Sequence, residues 1–115
     1  HIMNANVLIM GFAFKENCPD LRNTRIVDLV KEFEVYNCNV SVYDPWVDKV
    51  QAIEEYDITL IERPVEKKYD AIILAVAHEE FRALSVAKIK KFGRDDHVLY
   101  DIKYLLKLDE VDGRL

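Results

Sequence analysis

Apolar and polar residues alternate along this chain in blocks that predict strands and helices in turn. Continuous apolar runs predict four strands, at residues 7–10, 40–43, 71–76 and 98–100. Apolar residues at helical spacing predict helices between residues 24 and 37 and over 47–56, 79–84 and 85–92. Strands that alternate with helices predict a mainly parallel sheet with helices on both faces. The expected fold class is therefore α/β, a Rossmann-like three-layer domain.

Local signals at the ends of these elements add detail. Asn23 or Thr24 can cap the first helix, and Ser85 can cap the last. Gly93 is expected to end that last helix. Residues 58–60 predict either a weak strand or an extended connection, and a short helical turn is predicted from Leu105 onward.

Length and composition narrow the class of protein. The chain has 115 residues and is expected to form one domain over residues 4–115, with residues 1–3 expected to be a cloning scar. A net charge of −5 argues against nucleic-acid binding, and no apolar run approaches the roughly 20 residues that span a bilayer. The two cysteines show no metal-ligand spacing and indicate reduced thiols in the cytoplasm.

The loop after the first predicted strand is the most informative segment. It reads GFAFKENCPDLRNT over residues 11–24, longer than the two to six residues or so that such turns usually take. It lacks a glycine-rich dinucleotide fingerprint, because Ala13 and Glu16 stand where the second and third glycines would be. A phosphate-bearing ligand would instead be held by side chains, with Lys15 as the first candidate. The alternative is that Lys15 is an ordinary solvated lysine.

Other polar side chains are predicted at the same edge of the sheet. In open parallel sheets a ligand binds beyond the carboxyl ends of the strands. Arg22 lies in the first loop, Asp44 follows the second strand, and Asp101 and Lys103 follow the last. Lys15 and Lys103 together would place two cations around one crevice, which suits an anionic ligand.

Several of these candidates have a structural alternative. Asp20 and Arg22 can pair with each other and shape the loop. Asp44 can contact a ribose or simply form an Asp-Pro turn. His78 can titrate near neutrality or cap the helix that follows. Cys18 has no partner base in the sequence, so it is not expected to be a nucleophile.

Four sequence blocks carry a family resemblance. GFAFKENCPDLRNT, VYDPWVD, AVAHEEF and YDIK occur in this order and cover nearly the whole chain after residue 3. Their order and spacing resemble the C-terminal domain of the UDP-glucose/GDP-mannose dehydrogenase family. FKENCPDLRNT together with YDPWVD looks most like the branch that oxidises UDP-N-acetylhexosamines, such as UDP-N-acetylglucosamine or UDP-N-acetylgalactosamine, in surface polysaccharide synthesis.

The resemblance implies a particular place in a larger enzyme. Such cytoplasmic enzymes oxidise the C6 alcohol of the sugar to a carboxylate with two NAD per turnover. An N-terminal domain binds NAD, a helical middle carries the catalytic cysteine and forms the dimer, and the C-terminal domain closes over the UDP-sugar. This chain would be the C-terminal domain, inactive alone, with no catalytic residue, no cofactor site and no metal site of its own. Its partners would be the UDP-sugar and the other domains of its own chain, in a homodimer or larger oligomer.

The resemblance also implies the substrate contacts. The pair Phe14 and Lys15 matches the family's sugar-nucleotide contact at the end of the first strand. Lys103 stands where many relatives have an arginine that helps to hold the UDP end, and lysine lacks the bidentate fork. Arg22, Asp44 and Asp101 are further possible contacts.

Two other classes of function remain open on sequence. One is a non-catalytic α/β interaction or signalling domain that resembles a receiver, for which Lys103 would be suitable. However, the end of the first strand lacks the acidic residues that a receiver needs. The other is a structural lid or assembly domain with only minor ligand contacts.

Overall fold

A computed structural model describes residues 4–103, 106 and 108–113 of the chain. The expected cloning scar at residues 1–3 and the predicted start of the last helical turn at Leu105 lie outside the described residues. The strands are β1 (Asn6–Met10), β2 (Asn39–Tyr43), β3 (Tyr69–Leu74) and β4 (Gly93–Asp101). The α-helices are α1 (Ile26–Val35), α2 (Lys49–Tyr56), α3 (Glu79–Ala83) and α4 (Val86–Lys90), and a short 3-10 helix spans Leu108–Glu110.

The named strands form one parallel sheet in the order β2-β1-β3-β4. The segment predicted as a weak strand or extended connection makes a single parallel bridge, between Leu60 and Val42 at the β2 edge. The α/β class and the mainly parallel sheet are therefore confirmed.

Each face of the sheet is covered by its own apolar cluster. Alternate residues of a strand point to opposite faces, so Val7 and Ile9 face one way while Leu8 and Met10 face the other. The first face packs against α1 and α2 and the second against α3 and α4, through buried residues Ile26, Val30, Ala52, Phe81 and Ile89. This arrangement gives the three layers that the sequence predicted.

Two of the predicted helix boundaries need correction. Helix α1 begins at Ile26 after Arg25, without a side-chain hydrogen bond at the cap position. The Thr24 hydroxyl instead donates to the Phe12 carbonyl at 2.6 Å and accepts from the Ile26 N–H at 3.3 Å, so it ties the long loop to the start of the helix. At α4 the cap was predicted correctly, because Ser85 Oγ accepts from the Lys88 N–H.

Gly93 does not end α4, which stops at Lys90. It is instead the first residue of β4 and lies opposite Tyr69, and the register of the β3–β4 pair shifts before Val98. A side chain at position 93 would collide with the His97 ring, so the glycine is needed for packing inside the strand. The apolar pattern detected only the regular second half of β4.

The strand order creates a switch point in the sheet. From β1 the chain turns to β2 on one side, whereas β3 lies on the other side of β1. In open α/β sheets this switch of direction leaves a crevice beyond the carboxyl ends of the two strands. The long loop after β1 and the loop after β3 both begin at this point.

Candidate functional site

The loops after β1 and β3 are in close contact at the switch point. Gly11 follows β1 with a φ of 109°, a conformation that residues with a side chain rarely adopt. A Cβ atom there would lie 2.5 Å from Val76 Cβ and 2.7 Å from Val76 N. Only glycine allows the chain to leave β1 so close to the end of β3.

Asp44, which follows β2, holds the beginning of the long loop. Its side chain is buried, with 2% of the residue's surface exposed. Oδ2 accepts the backbone N–H groups of Phe12 at 2.7 Å and Ala13 at 2.9 Å, and Oδ1 accepts that of Trp46 at 2.8 Å. The carboxylate therefore binds the protein's own backbone, and its burial does not favour the ribose contact considered from the sequence.

The His78 ring forms hydrogen bonds with both Asp44 and Asn17, and Asn17 lies just after the exposed residues Phe14 and Lys15. The ring is fully buried, its Nε2 lies 2.9 Å from Asp44 Oδ2, and its Nδ1 accepts the Asn17 N–H at 2.9 Å. His78 occupies the cap position of α3, but its ring makes no cap hydrogen bond. The Asn17 side chain instead accepts the Glu79 N–H at 2.8 Å. The prediction that His78 caps α3 is thus confirmed for its position but not for its side chain, because the ring is already engaged with the loop.

Burial and hydrogen bonds act in opposite directions on Asp44. Burial raises the pKa of the Asp44 carboxyl. The hydrogen bonds from the His78 ring and from the backbone N–H groups of Phe12, Ala13 and Trp46 lower this pKa, and together they outweigh burial. The net pKa lies below the ordinary value, so Asp44 is held as a carboxylate.

Aromatic rings enclose the buried pair. The Trp46 ring stacks on His78 with centroids 5.9 Å apart and an angle of 23° between planes, and Phe81 meets the His78 ring edge-on at 5.4 Å. The Trp46 indole N–H donates to Glu80 at 2.7 Å, which fixes the indole over the imidazole. A site shielded from water strengthens the hydrogen bonds inside it.

The middle of the loop is exposed and carries the predicted contact residues. Phe14 is 49% exposed, and Lys15 is exposed beside it. In the described part of the chain, no carboxylate forms an ion pair with Lys15. The Phe14 N–H donates to the Asp20 carbonyl at 2.8 Å, so the loop folds back on itself beyond these residues.

Arg22 pairs with Asp20, as one of the sequence interpretations predicted. The guanidinium approaches the Asp20 carboxylate through two nitrogens, at 3.1 Å each. The Arg22 hydrogen bond keeps the pKa of the Asp20 carboxyl below its ordinary value. Because the pair is largely exposed, it contributes little to stability and mainly shapes the loop.

A second buried carboxylate supports the turn after β4. Asp101 is fully buried, and its oxygens accept the backbone N–H groups of Lys103 at 3.0 Å and Leu106 at 2.7 Å. Lys103 itself is exposed. Asp44 and Asp101 thus have similar roles. Each lies at the carboxyl end of a strand and accepts hydrogen bonds from the backbone of a segment that bears an exposed lysine. The sequence identified both acids, but it did not show that they bind backbone.

The structure brings the predicted residues to one edge of the sheet. Phe14, Lys15 and Arg22 follow β1, Asp44 follows β2, and Asp101 and Lys103 end or follow β4. Sequence reasoning missed the part played by Asn17. An available signal was an asparagine within a long loop, because asparagine tolerates the left-handed backbone that Asn17 adopts, with a φ of 53°.

Other kinds of site are not evident in the part of the chain that the structure describes. No group of three or more histidine, cysteine or acidic side chains among these residues could hold a metal ion. No described helix has the length and apolar character required to cross a membrane. Cys18 and Cys38 form no disulfide bond within the part of the chain that the structure describes.

Fold and site together define a class of protein, an α/β domain that carries exposed lysines at the carboxyl edge of a parallel sheet. A family model narrows the class. It matches residues 8–108 and describes the UDP binding domain of the UDP-glucose/GDP-mannose dehydrogenase family. The chain belongs to this family, which excludes the receiver-like alternative.

Individual relatives agree with the family model. The chain is 54% identical over all its 115 residues to a UDP-N-acetyl-D-glucosamine 6-dehydrogenase of Pseudomonas aeruginosa, and 49% identical to one of Salmonella typhi. It spans 27% of the length of each of these relatives. A solved NDP-N-acetyl-D-galactosaminuronic acid dehydrogenase of Methanosarcina mazei has the same fold, with a TM-score of 0.80 and 22% identity over 95% of this chain and 22% of its own.

Proposed function

We propose that this chain is the C-terminal, UDP-sugar-binding domain of an NAD-dependent UDP-N-acetylhexosamine 6-dehydrogenase. The enzyme would be cytoplasmic, would act in surface polysaccharide synthesis, and would form a homodimer or larger oligomer. The high identity to two enzymes named for UDP-N-acetyl-D-glucosamine supports this substrate class. The chain spans about a quarter of these relatives, which supports the interpretation that other domains supply the catalytic cysteine and the NAD site.

The observation that carries the proposal is that Asp44 already occupies the first backbone N–H groups of the loop after β1. Its first backbone N–H groups, those of Phe12 and Ala13, donate to Asp44. In a dinucleotide-binding turn, the backbone at this place would approach a pyrophosphate. The residues present therefore do not fit NAD, and the group that remains available for an anion is the exposed Lys15 ammonium. Such a loop suits a diphosphate that is gripped by a side chain.

Lys15 would contact the diphosphate or the sugar, Phe14 would contribute apolar or backbone contact, and Lys103 would approach the UDP end. Lys103 is presented by a backbone turn fixed on Asp101. Four cavities of about 210 to 490 Å³ are lined by residues other than these three. The open exposure of Phe14, Lys15 and Lys103 suits a site that is completed by the rest of a longer polypeptide.

Ligand binding to the 115-residue chain tests the proposal. We expect UDP and UDP-N-acetylglucosamine to raise the melting temperature slightly, because half of the site is absent, and we expect NAD to have no effect. A ligand present at about ten times its Kd would stabilise the domain by only about 1.4 kcal/mol. Differential scanning fluorimetry with UDP, UDP-N-acetylglucosamine, GDP and NAD measures these shifts.

The Lys15→Ala variant provides the matched control, and it should lose the shift with UDP-sugars. A clear preference for NAD would overturn the assignment of roles between the domains. If UDP ligands have no effect in either protein, the lid interpretation with minor ligand contacts is favoured instead.

A further inference from the structure

We propose that His78 is a positioning residue for the UDP-sugar: its neutral ring, with the proton on Nε2, fixes the loop segment that presents Phe14 and Lys15. The inference rests on the proposed function and adds to it a buried residue that is too remote from solvent to touch the ligand. His78 would act on the substrate only through Lys15.

The hydrogen bonds around the ring determine its tautomer. A backbone N–H can only donate, so the Asn17 N–H at 2.9 Å requires Nδ1 of His78 to accept. In a neutral imidazole the proton is then on Nε2. Nε2 faces Asp44 Oδ2 at 2.9 Å, and a carboxylate can only accept. Both ring nitrogens therefore have a partner of the correct kind, and the opposite tautomer would lose both bonds.

The same bonds restrain the loop on either side of its exposed part. Asp44 holds the backbone of Phe12 and Ala13, and His78 holds that of Asn17. The residues between these two attachments, 14–16, are all exposed. The bond between Asp44 and His78 connects the two attachments into one rigid unit, so the position of Lys15 depends on the ring.

Two amide substitutions separate the functions of the ring. In His78→Asn the amide oxygen lies near the place of Nδ1 and can accept the Asn17 N–H. In His78→Gln the amide nitrogen reaches the place of Nε2 and can donate to Asp44, but the acceptor for Asn17 is lost. Since the Asn17 attachment lies next to the exposed segment, His78→Gln should disturb Lys15 more than His78→Asn.

The test is a double-mutant cycle in the full-length dehydrogenase with UDP-N-acetylglucosamine as substrate. We expect His78→Gln to raise the KM for the UDP-sugar about tenfold, since a misplaced contact group is expensive. His78→Asn should raise it several times less. In a Lys15→Ala background, His78→Gln should change KM by less than about twofold, because its effect passes through Lys15. His97→Gln, which alters a half-buried histidine in β4 outside the loop network, serves as the control and should not change KM.

Each contrary result has a distinct meaning. If His78→Gln has its full effect in the Lys15→Ala background, the ring acts only through general stability and the inference fails. If His78→Asn is as harmful as His78→Gln, the Asn17 bond is not responsible and the inference also fails. If Lys15→Ala alone leaves KM unchanged, the proposed binding site fails, and the role of His78 fails with it.

A measurement on the unsubstituted 115-residue chain avoids the risk that a variant misfolds. Two-bond ¹H–¹⁵N correlation spectra of histidine-labelled protein report which ring nitrogen carries the proton. We expect His78 to show a protonated Nε2 and an unprotonated Nδ1. A protonated Nδ1 would overturn the inference, because the Asn17 N–H would then have no acceptor on the ring.

Discussion

Replacing Asp44 with alanine is expected to lower the free energy of unfolding by about 3–5 kcal/mol, the usual penalty for breaking a buried charged network. The carboxylate accepts from the Phe12, Ala13 and Trp46 N–H groups and from the His78 ring. Its removal would leave these donors without a partner in a site shielded from water. The free energy of unfolding of native domains is typically about 5–15 kcal/mol, so this loss would be a large part of the total stability.

Denaturant unfolding of the 115-residue chain measures this change. Asp48→Ala is the matched control, since the exposed Asp48 carboxylate also accepts two backbone N–H groups, at the start of α2. Loss of an exposed helix cap lowers stability by only about 1 kcal/mol. The interpretation of Asp44 as the support of the loop is wrong if the two variants lose equal stability.

The same carboxylate should make stability depend on pH. Its folded pKa lies below the ordinary value of 3.8, because hydrogen bonds from His78 and the backbone outweigh burial. A lowered pKa contributes stability that is present above the unfolded value and is lost as the pH falls through the folded value. The stability difference between wild type and Asp44→Asn should therefore be constant near pH 6 and shrink below about pH 4. A difference that grows in acid would contradict this assignment.

Replacing Lys15 with alanine in the full-length enzyme is the second large expected effect. We expect KM for the UDP-sugar to rise and kcat to fall, because the ammonium would both bind and orient the substrate. A hydrogen bond to a charged group contributes about 1.5–3 kcal/mol, which corresponds to a loss of about 10- to 100-fold in kcat/KM. Steady-state kinetics with UDP-N-acetylglucosamine and NAD measure both constants.

Lys90→Ala is the matched control, because it removes the same charge from an exposed position at the end of α4, near the amino end of the sheet. It should leave both constants unchanged. Lys15→Arg keeps the charge and should retain part of the activity. If the kinetics of Lys15→Ala equal those of wild type, Lys15 does not belong to the site.

The helices and strands were predictable because their buried apolar residues recur at regular spacing along the sequence. Residues 7–10 form most of β1, and the helical spacing from Ile26 marks α1 closely. The irregular parts were not predictable in this way. Gly93 resembled a helix stop because glycine occurs both at helix ends and in strands, and the pairing of Gly93 with Tyr69 in the sheet distinguishes the two.

The location of the candidate site was predictable from the sequence, but the contacts that each of its side chains makes were not. The sequence places Lys15, Asp44 and Lys103 at strand ends, and a parallel sheet brings such ends together. It cannot show whether a carboxylate faces a ligand or the backbone, since that depends on contacts between residues far apart in sequence. Asp44 meets Phe12 from 32 positions away, and His78 meets Asn17 from 61.

The sequence by itself determined the α/β class, the family and the edge of the sheet that bears the cations, because periodicity and motifs are contained in short stretches of sequence. Only the tertiary structure decided that Asp44, His78 and Asp101 are buried supports and that Phe14, Lys15 and Lys103 are exposed. Burial and hydrogen-bond direction arise when separate loops pack together, so no local pattern contains them.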